Sequence, residues 1–462
     1  MNQADCEIGI LGLGVMGRNL AAHLIDHAVT RVALFSYAAS ERAAFRVDTP
    51  AKTRSCANLE QFVQSLTTPR KVLLMITAGE PVDEVLGALT PLLSRGDIII
   101  DGGNSYYLDT RRRDTALRQQ GLKYMGLGIS GGASGARHGA SLMAGCDKAT
   151  YDECQPLLAP LAARHEQRAC VGWMGEDGAG HFVKMVHNGI EYGVMQLLAE
   201  CYGYLREQMN NQDIAELFES WQTGALDSYL LQISSRILRT KDTETPQDLI
   251  EMIRDEAAQK GTGRWTIEGS LLLGVPVPGI YAAVIERSLS SHGSRRQALK
   301  TRYKMPQIQA ALLAPADMES ALLTAIILVY EQGINLLLGA RAHWHWQLDL
   351  RSVVRTWQAG CIIRAELLET IAQSLAEEHQ NLLQTPMIKT LVEEGHELLR
   401  QWVVEATQHH IPVPALSANL QYFNSLCVDR LPMNLIQGQR DYFGEHGFAR
   451  VDKPGQFHGD WR

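Results

Sequence analysis

A short apolar run, Ile8–Leu11, leads directly into Gly12-Leu13-Gly14-Val15-Met16-Gly17, and a helical pattern follows from Arg18 to Asp26. Glycines at this spacing between a strand and a helix meet three separate demands. Gly12 permits a tight turn, Gly14 lets a ligand approach the backbone, and Gly17 lets helix and strand pack closely. The start of the helix then offers unpaired N–H groups and the positive end of its dipole to phosphate. Further apolar runs at Val32–Phe35, Val72–Ile76 and Ile98–Ile100 are separated by amphipathic stretches. Such alternation predicts a parallel sheet with helices on both faces.

These features predict an α/β Rossmann-type domain over residues 1–178 that binds a dinucleotide through Gly12, Leu13, Gly14, Val15, Met16 and Gly17. An acidic residue at the end of the second strand would hold the ribose 2′-hydroxyl of NAD, whereas a basic one would accept the 2′-phosphate of NADP. Here the strand runs into Ser36-Tyr37-Ala38, which is neither. On physical grounds both dinucleotides stay open.

A chain of 462 residues exceeds the roughly 250–300 at which a single core stops growing, so further domains are expected. From Ala179 long helical patterns follow one another, for example Phe182–Gln208 and Met318–Ala340, and predict a large all-α domain over 179–430. NGIEYGVMQLLAE from Asn188 and ILVYEQGINLLLGA from Ile327 are faintly alike, which hints at an internal duplication. Residues 431–462 mix glycine with aromatics; this irregular tail is expected to pack on another surface, such as a second subunit. The net charge of −8 gives no electrostatic case for nucleic acid or an anionic membrane. The most apolar run, Ala321–Tyr330, falls short of a ~18–20-residue span, ends at Glu331 and reads as a buried helix. No secretory signal pattern opens the chain, and its 8 cysteines form no C-x-x-C pair. Reduced thiols and a cytoplasmic location are expected.

The segment Gly178–Gln196 carries the most specific chemistry. With Lys184 as origin, His187, Asn188, Glu191 and Tyr192 fall at i+3, i+4, i+7 and i+8, on one stripe of a helix. Val183, Met185, Val186, Ile190, Val194 and Met195 occupy the remaining faces. A solvated face would be wider and richer in Lys, Glu and Arg. A narrow stripe of one amine, one imidazole, one amide, one carboxylate and one phenol suits a cleft, with Lys184 and Glu191 as base and acid. They lie roughly 10 Å apart along the axis, and their side chains can converge on one small substrate. Lysine acts as a base only when neutral, and burial favours that state.

At these residues the chain resembles the 6-phosphogluconate dehydrogenases over essentially its whole length. The matching blocks are GLGVMGRNL from Gly12, GDIIIDGGNSYYLDT from Gly96, GISGGASGARHGASLM from Gly128, GAGHFVKMVHNGIEYG from Gly178, QKGTGRW from Gln259, GCIIR from Gly360 and LIQGQRDYFGEH from Leu435. The resemblance implies oxidation at C3 of 6-phosphogluconate with NADP as the family's usual acceptor, loss of CO₂, and protonation to ribulose 5-phosphate, a step of the pentose phosphate pathway. No metal is implied, since the new carbonyl is the electron sink. It makes Lys184 the base and Glu191 the acid. Asn104, Ser130, Gly131, Gly132, His187 and Asn188 would hold the carboxylate and hydroxyls. Tyr192, Lys260, Thr262 and Arg287 would grip the phosphate, joined by Arg440 and His446 from the tail of the partner in a homodimer. Ser36, Tyr37, Ala38, Thr77, Ala78 and Asn104 would complete the cofactor site. Several cations and donors are what a buried phosphate dianion requires.

The chain departs from the family pattern at three places. Ser36-Tyr37-Ala38 stands where the family has Asn-Arg-Thr, Thr77-Ala78-Gly79 where it has Lys-Ala-Gly, and Ala133-Ser134 where it has Glu-Asp. The first two remove positive charge near the cofactor and imply relaxed or NAD-shifted use. A related β-hydroxyacid dehydrogenase is the nearest alternative, and a catalytically silent paralogue that binds a sugar phosphate or the dinucleotide is another. The phosphate grip argues against the first, and the intact Lys184 and Glu191 against the second. The basic run Arg295–Lys304 is read as a solvated loop or part of the phosphate field. His343-Trp344-His345-Trp346 and His409-His410 are read as packing residues rather than a metal site.

Overall fold

A computed structural model describes residues 4–27, 31–45, 52–259, 261–303, 313–375 and 381–461. The N-terminal strands are β1 (Ile8–Leu11), β2 (Val32–Phe35), β3 (Thr53–Ser55), β4 (Lys71–Leu74), β5 (Ile98–Asp101), β6 (Lys123–Ser130) and β7 (Ser141–Gly145). A small hairpin, β8 (Arg164–His165) and β9 (Arg168–Ala169), precedes β10 (Val171–Trp173). Among the described residues the main sheet runs β3-β2-β1-β4-β5-β6-β7-β10. Every neighbouring pair is parallel except β6–β7. The order reverses between β1 and β4, and that switch point opens a crevice at the carboxyl ends of the strands. Alternate residues serve two cores: Ile8, Ile10, Leu34, Leu73, Ile98 and Ile100 face one layer of helices, and Leu11, Ala33, Phe35, Val72, Leu74 and Ile99 face the other.

The last strand of the sheet ends at Trp173, and the helix Ala179–Leu205 begins the second region, which is helical among its described residues. This helix crosses a second long one, Pro315–Trp344, through small residues. A Cβ on Gly193 would stand 2.6 Å from Val329 Cγ1, and one on Gly333 2.6 Å from Ile190 Cδ1. Both glycines lie in the two faintly alike segments. Pro315–Trp344 is long and apolar enough to cross a membrane by composition, yet 83% of its most apolar window is buried inside the fold. It is a core helix, as the shorter apolar run suggested, and it continues straight through Glu331.

Two expectations are corrected. The basic run is not a loop: Gly293–Arg302 is helical and exposed, while Lys304 lies outside the described residues. The tail begins with a helix, Met433–Gly444, before its irregular end. That end is tied together by Asp441, which accepts from the amides of Gly447 (2.9 Å) and Gly459 (2.8 Å) and from Trp461 Nε1 (2.8 Å). Of His343-Trp344-His345-Trp346 the two tryptophans pack, edge-on to Phe182 at 5.3 and 5.5 Å, whereas both histidines are exposed.

Glu331 shows what the core demands of a buried acid. It is fully buried, and desolvation pushes its carboxyl up to about 7, although hydrogen bonds from Asn335 and Asn381 favour the ionised form. The folded state therefore holds a proton that the unfolded chain releases near the ordinary carboxyl value of 4.5, so its contribution to stability falls as pH rises between 4.5 and about 7. Glu331→Gln keeps the acceptor for Asn335 and removes the titration. Its stability relative to the parent is expected to climb across that window, to about 3 kcal/mol above neutral pH. Denaturant melts of both proteins at a series of pH values measure this; parallel pH curves would contradict it.

Candidate active site

Close contact between a helix and a strand fixes the centre of the site. β6 reads Lys-Tyr-Met-Gly-Leu-Gly-Ile-Ser, so Gly126 and Gly128 clear one face of the strand. Ala179–Leu205 presses into that face: a Cβ on Gly128 would meet Lys184 Cβ at 2.6 Å, and one on Gly180 would meet the Gly126 carbonyl at 2.3 Å. The contact sets Lys184 above the carboxyl end of β6, where Ser130 stands. The chain then turns at Gly131 (φ +107°), where a Cβ would lie 2.4 Å from the Gly360 carbonyl.

Lys184 Nζ donates to Ser130 Oγ at 3.0 Å and to Asn188 Oδ1 at 2.8 Å, and lies 3.3 Å from His187 Nδ1. His187 Nε2 is 3.2 Å from Ser130 Oγ, and its ring meets Trp357 edge-on at 5.9 Å. Every direct partner of the amine is neutral. Burial therefore dominates and brings Lys184 down to about 8, with Glu191 and the Cys361 side chain opposing the shift. Burial also holds His187 well below the usual imidazole range and pushes the Cys361 thiol up to about 12. Glu191 Oε2 is 3.8 Å from His187 Nδ1, so the imidazole joins the amine to the carboxyl. Burial raises the Glu191 pKa, against the pull of Lys184 and Arg287. The helix stripe thus points into one cluster of opposed titration tendencies, an arrangement suited to acid–base work. Met195, expected on an apolar face, is instead 40% exposed, with its sulfur 3.5 Å from Arg287 Nη2, because that turn of the helix opens beside the Pro278–Ser290 helix.

Further residues form a second group. Arg287 stacks 3.4 Å over the Tyr192 ring. Tyr192 packs on Gly263, where a Cβ would lie 2.7 Å from the ring. Thr262 opens the Thr262–Leu273 helix, behind Gly261 in the left-handed conformation. A guanidinium, a phenol, a hydroxyl and a helix N-terminus therefore converge, and all can bind an anion. Lys260 lies outside the described residues. Arg440 and His446 are not brought to this group within the chain: Arg440 donates to Gln437 Oε1 (3.1 Å) in its own tail, and His446 lies 6.0 Å from Phe443. Asn104 is exposed after β5, on a loop braced by Asp101, which accepts from Ser105 Oγ at 2.7 Å and Gly103 N–H at 3.0 Å.

At the switch point a cavity of about 640 Å³ is lined by Gly12, Gly14, Ser36, Tyr37, Ala38, Ile76 and Thr77, among others. A Cβ would be 2.4 Å from the Met75 carbonyl on Gly12 and 2.0 Å from the Gly12 carbonyl on Gly17, while nothing closer than 3.8 Å faces Gly14. Backbone approach is thus open where the pyrophosphate of a dinucleotide would lie, ahead of the Val15–His27 helix. Ala78 follows Thr77 just beyond β4, and Leu13, Val15 and Met16 fill the loop and the helix start. Three features escaped the sequence reading. Glu41 reaches into this cavity, and its Oε2 accepts from Ser36 Oγ (2.7 Å) and Leu13 N–H (3.2 Å). Trp357 and Cys361 wall the lysine cluster; the GCIIR block contained Cys361, and nothing singled out Trp357. The glycine pair two residues apart on β6 was a readable sign of close backbone approach.

Comparison with known proteins agrees with this geometry. Residues 7–175 match the family model described as the NAD binding domain of 6-phosphogluconate dehydrogenase, and residues 180–461 match its C-terminal domain. The decarboxylating 6-phosphogluconate dehydrogenase of Escherichia coli K12 is 42% identical over 98% of this chain and 99% of its own. The Bacillus subtilis enzyme named as NADP(+)-dependent and decarboxylating is 39% identical over the same shares. The Plasmodium falciparum 6-phosphogluconate dehydrogenase, described in its apo form and in complex with its cofactor NADP+ and its substrate 6-phosphogluconate, superposes with a TM-score of 0.95 at 35% identity, covering 99% of this chain and 100% of that one. With both domains matched and identity sustained along the whole length, the chain belongs to the 6-phosphogluconate dehydrogenase family.

Proposed function

We propose that this protein oxidises 6-phospho-D-gluconate at C3 and decarboxylates it to D-ribulose 5-phosphate and CO₂. The observation that carries the reading is the buried Lys184 amine, ringed by neutral partners and brought down to about 8. A bound nicotinamide dinucleotide supplies the hydride acceptor. Neutral Lys184 takes the proton of the C3 hydroxyl, with Ser130 and Asn188 fixing the direction of its lone pair. The C3 carbonyl so formed sits β to the carboxylate and receives the electron pair released with CO₂. The protonated amine, donating to that carbonyl oxygen, stabilises the resulting enediolate. Glu191, its pKa raised by burial, delivers a proton to the former C2, which becomes C1 of ribulose 5-phosphate. Tyr192, Thr262 and Arg287 would anchor the phosphate end and so hold the reacting carbons over the lysine.

The same reading assigns the protein a homodimer and a cytoplasmic location. Leu271, Leu272, Leu435 and Phe443 are 76%, 54%, 66% and 73% exposed, which supports a partner surface. The free thiols of all its cysteines support a reducing compartment. Arg440 and His446 then complete the phosphate site of the opposite subunit.

Because the base must be neutral, kcat/KM is expected to rise with pH up to a pKa near 8 and to lose that limb in Lys184→Met, together with at least ~10³-fold of kcat. Rates across pH with 6-phosphogluconate measure this; a Lys184→Met enzyme of near-normal rate would overturn the reading. Subunit exchange tests the tail. Lys184→Met and Arg440→Ala proteins, each nearly inactive, should recover up to about one quarter of normal activity when unfolded and refolded together, because half the dimers then contain one intact site. No recovery would mean that Arg440 serves its own chain.

A further inference from the structure

The cavity at the switch point contains no lysine or arginine among its described lining residues, but it does contain two carboxylates, Glu41 and Glu84. Glu41 comes from the short Ala39–Ala44 helix and points back beneath the end of β2. One of its oxygens is fixed by the buried Ser36 hydroxyl (2.7 Å) and the Leu13 amide (3.2 Å). The other, Oε1, faces the glycine loop, 3.8 Å from where a Cβ on Gly14 would stand. The carboxylate thus lies between the glycine loop and the end of β2, where a Rossmann domain receives the adenosine ribose. Tyr37, 56% exposed, offers its ring at the same rim. The nearest guanidinium in sequence, that of Arg42, does not line the cavity. It donates to the Ser36 carbonyl and lies 5.8 Å from the Phe35 ring.

We propose that Glu41 selects the dinucleotide: its carboxylate accepts a hydrogen bond from the adenosine ribose 2′-hydroxyl of NAD and excludes the 2′-phosphate of NADP. The acid missing from the end of β2 is supplied from five residues further on, after Ser36, and held by Ser36 itself. A 2′-phosphate carries a charge of about −1.5 to −2. In this cavity it would meet Glu41 directly and Glu84 across the space, with no cation among the described lining residues to offset either. The 2′-hydroxyl of NAD can donate to Glu41 at no such cost. Like-charge placement of this kind is how a site rejects a competitor as well as favouring its ligand. The inference rests on the dinucleotide reading of this cavity and is independent of the sugar acid oxidised.

The test is equilibrium binding of NADH and NADPH to the full-length protein, followed by nicotinamide fluorescence, for the parent, Glu41→Gln, Glu41→Lys and Arg42→Ala. No substrate is present, so failure of the proposed reaction would not disturb the result. The parent is expected to bind NADH at least tenfold more tightly than NADPH. Glu41→Gln should narrow that ratio severalfold by improving NADPH binding, Glu41→Lys should invert it, and Arg42→Ala should leave it in place. Parent protein that binds NADPH as tightly as NADH, or more tightly, overturns the proposal whatever the variants do; loss of that binding in Arg42→Ala would assign the 2′-phosphate to Arg42. Binding of neither dinucleotide would overturn the cavity reading, and the proposal with it.

Discussion

The site depends on one ammonium group placed where it can lose its proton. Lys184 is 8% exposed, and its hydrogen-bond acceptors are a serine hydroxyl and an asparagine carbonyl. A carboxylate in direct contact would fix the positive charge and end its use as a base. Instead the nearest acid, Glu191, stands beyond His187, close enough to sense the amine and too far to pair with it. Each carries what the other needs for its role. Burial lowers the amine and raises the carboxyl, so the two approach each other's pKa range, and the reaction can take a proton at one and give one at the other.

That placement follows from backbone proximity. The helix Ala179–Leu205 lies directly on β6 and β7, because side chains are absent at Gly126, Gly128, Gly145 and Gly180. Any Cβ there would lift the helix and carry Lys184 away from Ser130. The same sheet edge serves both ligands. The dinucleotide cavity opens beside β1, β2 and β4, and the lysine cluster lies over β6, with β5 and the Asn104 loop between them. A parallel sheet with its strand order reversed between β1 and β4 gathers all these strand ends on one side, so the hydride donor carbon and its acceptor need only span the top of one sheet.

Much of this was legible in the sequence, and the omissions have physical causes. Glycine spacing and alternating apolar runs specify the sheet because strands buried on both faces tolerate few polar residues. The helical offsets from Lys184 to Tyr192 by themselves put the polar stripe on one face, and Ser130, His187 and Asn188 meet there. Glu41 was not legible. Sequence rules look for an acid at the strand end, whereas this one returns from the following helix, a matter of side-chain reach. Trp357 and Cys361 enter through a long-range contact with Gly131 and His187 that no local pattern encodes. The helical start of the tail was masked by its glycines. Ala133 and Ser134 sit in the short Gly132–His138 helix, and nothing in the structure explains their departure from the family pattern.

The central claim is that the Lys184 cluster couples oxidation of a sugar acid to loss of its carboxylate. The most direct measurement uses 6-phosphogluconate labelled with ¹³C at C1, with NAD+ and NADP+ in separate reactions, and follows labelled CO₂, ribulose 5-phosphate and reduced nicotinamide together. The account predicts one labelled CO₂ and one unlabelled ribulose 5-phosphate for each nicotinamide reduced. Reduced nicotinamide with the label retained in a six-carbon keto acid, or no reduction by folded protein with either dinucleotide, would contradict it.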